Sequence, residues 1–138
     1  MDTGVSVIEL LDFKLRGGQE SPVAAARVAR ISERYLTASG SREIHAVVAE
    51  IVAWVASLVP ERHGLRLELS VTSTIVRVSV TASRCVTSRQ ALGSNRSLRE
   101  ALPMTAALAP RYGVETSRNT RVWAEFDRAE FHRAEFER

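Results

Sequence analysis

Residues 41–81, SREIHAVVAEIVAWVASLVPERHGLRLELSVTSTIVRVSVT, change their apolar period halfway along, and that change decides the fold. In the first half Ile44, Val47, Val48, Ile51, Val55, Leu58 and Val59 recur at helical spacing, a wide apolar stripe that Pro60 stops. Ser41 is placed to cap this helix. In the second half Leu65, Leu67, Leu69 and Val71 alternate with Arg66, Glu68, Ser70 and Thr72. Val76, Val78 and Val80 alternate in the same way with Arg77, Ser79 and Thr81. A period of two on both sides of a polar Ser73 predicts a β-hairpin with one apolar and one polar face, a sheet covered by helices on one side only.

Working outward toward the N-terminus, Ser21-Pro22 is a helix start, and Ala24, Val28, Ile31 and Tyr35 carry an amphipathic helix over residues 22–38 that ends at Gly40. Before it, the alternation from Val5 to Leu15 reads as a strand or strand-like arm closed by Gly17-Gly18. Toward the C-terminus, residues 82–97 lose all periodicity and read as a long loop. Ser97 to Ala109 predicts a third helix, kinked or started late by Pro103 and stopped by Pro110. Tyr112–Thr116 and Arg121–Phe126 form a last hairpin around Ser117-Arg118-Asn119, with Val122, Ala124 and Phe126 on one face. The expected order is β-α-α-β-β-α-β-β. That is an α+β two-layer sandwich with a mixed, mainly antiparallel sheet and its helices on one face.

The chain ends on a repeat, AEFDR-AEFHR-AEFER over residues 124–138. Its period of five matches neither a strand nor a helix, so residues 1–128 are read as one domain and 129–138 as a frayed tail. Phe131 and Phe136, set between charges in that tail, are candidate docking residues for a partner.

At 138 residues, 45% hydrophobic and 25% charged, the composition is that of a globular chain with a real core. No apolar run reaches the roughly 18–20 residues that span a bilayer, and no basic region precedes the first apolar stretch, so the expected location is cytoplasmic. One cysteine, Cys85, excludes an internal disulfide, and His45, His63 and His132 offer no ligand pair at helical spacing, so no structural metal is expected. Cys85 itself reads as an inert small hydrophobe. The net charge is +3 and the pI about 9.7. Eighteen of the nineteen basic residues are arginines, Lys14 being the exception. Because they interleave with sixteen acids, they describe a mixed solvated surface rather than a nucleic-acid face.

Several strings, taken in order, resemble the GHKL (histidine-kinase-like ATPase) superfamily, in particular the RsbW/SpoIIAB-like anti-sigma regulatory serine kinases. The resemblance covers roughly Asp12 to Asp127. It is carried most specifically by Arg111-Tyr112-Gly113-Val114-Glu115 and Thr120-Arg121-Val122-Trp123-Ala124-Glu125-Phe126, which look like the closing hairpin of single-domain members from actinobacteria. Ser21-Pro22-Val23 and Val48-Ala49-Glu50-Ile51-Val52 add to it. The resemblance implies the histidine-kinase-like fold and a bacterial regulator that binds a sigma factor or a sigma-factor antagonist. Such proteins commonly dimerise, which leaves a homodimer open.

The resemblance also implies where nucleotide would sit, and there this sequence departs from the pattern. The family's second helix carries a glutamate and, four residues on, a magnesium-binding asparagine. Here Glu50 is followed by Trp54, whose indole N–H donates but accepts nothing. Ala82 stands where an aspartate would accept the adenine amino group, and Arg99-Glu100-Ala101 stand where a Gly-x-Gly turn would approach the phosphates. No other phosphate-binding glycine motif exists in the chain. Glu50 is therefore expected to be a relic, Trp54 to fill the vacated space, and the protein to lack enzymatic activity, cofactor and metal. Arg84, Arg89, Arg96 and Arg99 give the lid-like segment a positive charge suited to an acidic partner surface. Two other readings stay open: an active ATP-dependent anti-sigma serine kinase and a transcription-associated DNA-binding module.

Overall fold

The two alternating segments pair as expected. In the computed structural model, which describes residues 7–16, 20–59, 64–82, 97–116 and 118–128, β2 (Leu65–Val71) and β3 (Ile75–Ala82) form an antiparallel hairpin. The turn is held by Thr72, whose Oγ1 accepts from the amides of Ile75 at 3.1 Å and Thr74 at 3.3 Å. β1 (Glu9–Leu15) adds antiparallel to β2, and the closing hairpin of β4 (Arg111–Thr116) and β5 (Thr120–Asp127) joins through β5 to β3. The result is a five-stranded sheet in the order β1-β2-β3-β5-β4, with every pairing antiparallel.

Register puts the apolar positions in rows across one face: Val71, Val76 and Phe126; Leu69, Val78 and Ala124; Leu67, Val80 and Val122. All nine are buried. α2 (Ala38–Leu58) lies over β3 and β5 and sets Ile44, Val47, Val48, Ile51, Val52 and Val55 against these rows, each fully excluded from solvent. Burial of each such side chain contributes about 1.5–3 kcal/mol, so this contact between helix and sheet is the core of the fold. α1 (Ser21–Ser32) packs beside α2. The fold is thus a mixed α+β sandwich.

Three boundaries differ from expectation. α1 stops at Ser32 rather than running to residue 38, because the amides of Tyr35 and Leu36 both turn back to the Ser32 carbonyl. Tyr35 and Leu36 are still drawn inward, so the apolar phase continues through what is a turn. Neither does Gly40 end a helix or Ser41 cap one: Thr37 caps α2, its Oγ1 accepting from the Gly40 amide at 2.9 Å. The expected third helix is two pieces, α3 (Leu98–Ala101) and α4 (Pro103–Leu108), so the order among described residues is β-α-α-β-β-α-α-β-β. Pro103 causes the break, since its ring disfavours helical geometry at Leu102, which sits at φ −127° and ψ 66°.

The other face of the sheet carries ion pairs. Arg66 grips the Asp12 carboxylate through Nε and Nη2, and Arg111 reaches Glu125 at 2.9 Å and Asp127 at 2.6 Å. Arg77 lies between Glu115 and Glu125, 3.6 Å from each, with its guanidinium 4.7 Å above the Trp123 ring. Trp123 in turn lies across Gly113. A Cβ at that position would meet the indole at 2.8 Å, which is why the strand carries glycine there. This is the interleaved arginine and acid surface that the sequence predicted.

Candidate functional site

Glu50 sits midway along α2, and its carboxylate is fully engaged. Oε2 accepts from the Met104 amide at 2.9 Å, and Oε1 accepts from both the Thr105 amide at 2.8 Å and the Thr105 hydroxyl at 2.7 Å. Local sequence explains the arrangement. α4 opens on Pro103 with Leu102 at its N-cap, a residue without a side-chain acceptor, so the first amides of the helix have no local partner. A carboxylate from the neighbouring helix supplies it, and its charge meets the positive end of the α4 dipole. Thr105 is completely buried, which makes the Glu50 contact the partner of a hydroxyl and an amide that water does not reach.

The positions around it follow the same logic. Trp54, one turn beyond Glu50 on α2, is half-buried and packs against the edge of the core. Ala82, at the end of β3, is fully buried and stands in register between Leu65 and Thr120. Arg99 and Glu100 are exposed on α3, while Ala101 is 9% exposed and belongs to the core. Ser97 caps α3, its Oγ accepting from the Glu100 amide at 3.3 Å while its hydroxyl donates to the Glu100 carboxylate at 3.2 Å. Arg84, Arg89 and Arg96 lie outside the described residues, as does Cys85. The structure therefore brings Glu50 and Trp54 onto one side of α2, and it leaves the proposed arginine cluster represented by Arg99 alone.

A magnesium ion does not fit these residues. Glu50 faces N–H and O–H donors rather than an open coordination position, and Trp54 and Ala82 contribute no oxygen. Among the described residues no group of three or more His, Cys, Asp or Glu side chains is arranged to hold a metal, and no helix is long and apolar enough to cross a membrane.

Sequence reasoning missed a second feature, a groove of about 720 Å³ between the end of α1 and the start of α2. Ala29, Leu36 and Ala38 contribute apolar lining, and Glu33, Ser41, Arg42 and His45 contribute polar lining. Its signal lies in the misread boundary. A helix thought to run to residue 38 leaves no room for a groove where the chain turns.

The chain matches no family model, and no curated protein matches it.

Proposed function

We propose that this protein is a catalytically degenerate GHKL-fold regulator that acts by binding another protein, in anti-sigma or partner-switching control of transcription, without ATP hydrolysis or phosphotransfer. The single observation that carries this reading is the engagement of Glu50. A general base must be free to take a proton from the attacking group, and this carboxylate instead accepts three hydrogen bonds at the start of α4, two of them from the buried Thr105. Trp54 and Ala82, at the positions where metal and base recognition are implied, present an indole and a buried methyl group. The antiparallel sheet with α1 and α2 on one face supplies a rigid scaffold for partner contact, and loss of the nucleotide switch leaves regulation to competition between partners. The partner is a sigma factor, an anti-sigma antagonist or another transcription regulator.

The test is capture of purified sigma factors and antagonists on the immobilised full chain, with and without Mg-ATP, followed by mass analysis of the bound partner. Equal retention in both conditions and an unmodified partner are expected. ATP-dependent release, or a partner heavier by one phosphoryl group, would establish the active serine kinase instead.

A further inference from the structure

Among the described residues two buried hydroxyls have no hydrogen-bond partner, Ser32 at the end of α1 and Ser41 near the start of α2. Ser41, 6% exposed, lines the groove of about 720 Å³ between the two helices, and Ser32 does not. That volume falls in the range of small-molecule sites, about 300–1,000 Å³. Ala38, Ser41, Arg42 and His45 all line the groove and recur at i, i+3, i+4 and i+7, which is one face of α2. This face collects positive charge. Ala38 opens a helix of 21 residues whose first turn holds no acid, so nothing there complements the positive end of its dipole, and Arg42 adds a guanidinium. Among the described residues neither Arg42 nor His45 enters an ion pair or hydrogen bond. Glu43, next to Arg42 in the helix, lines a separate recess of about 180 Å³ instead. The acid that does line the groove, Glu33, is exposed, where water and salt screen it.

We propose that the α1–α2 groove is a binding site for a small molecule with a carboxylate on an apolar body. The apolar body lies against Ala29, Leu36 and Ala38. The carboxylate accepts from the Ser41 hydroxyl and takes Arg42 as its counter-charge, with His45 on the same helix face. A buried hydroxyl without a partner destabilises the free protein, and an acceptor in the groove removes that penalty. An anion there also meets the dipole of α2 and the Arg42 guanidinium at once. A cation would meet both as repulsion, and a purely apolar molecule would leave the Ser41 hydroxyl unpaired. This inference goes beyond the regulatory reading and stands without it, since Glu50, Trp54 and Ala82 do not line the groove.

The test uses hexanoate, hexanamide and hexylammonium, which share an apolar chain and differ in the charge of the head group. Each is titrated at millimolar concentration into the full chain and followed by the methyl NMR signals of Ala29, Leu36 and Ala38. Hexanoate should shift all three signals to saturation, with an affinity about tenfold above that of either other probe. Arg42→Gln should weaken hexanoate by about tenfold and leave hexanamide unchanged, while Glu33→Gln should tighten hexanoate. Ser41→Ala carries a signature that a merely structural serine would not give. Because the hydroxyl has no partner in the free protein, alanine should raise the melting temperature while it weakens hexanoate. Absence of methyl shifts with hexanoate, equal affinity for the three probes, weaker hexanoate binding in Glu33→Gln, or a lowered melting temperature in Ser41→Ala would each overturn the proposal.

Discussion

Replacing Glu50 by alanine separates a structural carboxylate from a catalytic one. The substitution removes the acceptor of three hydrogen bonds and leaves the Thr105 amide and hydroxyl without a partner inside a site that water does not reach. The exposed Met104 amide can turn to solvent, so its loss is small. Two orphaned buried groups cost about 1–3 kcal/mol each, and loss of an N-terminal cap typically costs about 1 kcal/mol. Since these terms overlap, we expect Glu50→Ala to lose about 3 kcal/mol, and Glu50→Gln, which keeps one acceptor oxygen but turns an NH₂ toward a donor, about 1–2 kcal/mol. Urea unfolding followed by circular dichroism reads this directly. With a slope of roughly 1–3 kcal/mol/M, the alanine variant's midpoint should fall by about 1–3 M at unchanged slope. Retention of the parent midpoint within about 0.5 kcal/mol in both variants, or a rise, would refute the reasoning, because it would mean that the carboxylate is not committed to α4.

Three further outcomes follow from other parts of the structure. Gly113→Ala forces the Trp123 indole off the sheet and away from Arg77, and should cost about 1–3 kcal/mol by thermal unfolding, with Trp123 fluorescence moving toward that of an exposed indole. Unchanged stability and emission would mean that the ring does not lie across Gly113. Ala82→Asp buries a carboxylate between Leu65 and Thr120 and should cost about 3 kcal/mol or more at neutral pH, easing in acid as the group protonates; a variant as stable as the parent at pH 7 would show that the site is open. The Arg66 guanidinium holds the Asp12 carboxyl below its ordinary value, chiefly through their hydrogen bonds. A carboxyl depressed in the folded state contributes stability above its unfolded pKa and loses it as pH falls toward the folded one. In Arg66→Leu the Asp12 carbon signal should therefore titrate at higher pH than in the parent, and an unmoved titration would break the assignment.

What the sequence makes legible is what repeats within a few residues. The alternation in residues 65–81 and the wide stripe of α2 fixed the hairpin and the central helix, and the placing of Val122, Ala124 and Phe126 on one face holds. The end of α1 was hidden because Tyr35 and Leu36 keep an apolar phase through a turn, so period alone could not see the chain leave the helix. Pro103 was visible as a break, yet its consequence, a helix start with no local cap, was not joined to Glu50 because the partners lie 54 and 55 residues apart in the chain. The resemblance points to the glutamate for the chemistry it implies, whereas the hydrogen bonds that the fold gives it, to Met104 and Thr105, carry no signal in the local sequence. The groove escaped for the same reason as the boundary that makes it.

The most direct test of the central claim is a calorimetric titration of the full chain with ATP and ADP, with and without Mg²⁺. The account predicts no binding heat up to millimolar nucleotide in any of the four conditions. Micromolar, Mg²⁺-dependent binding would contradict it, placing a working nucleotide site beside Glu50 and Trp54.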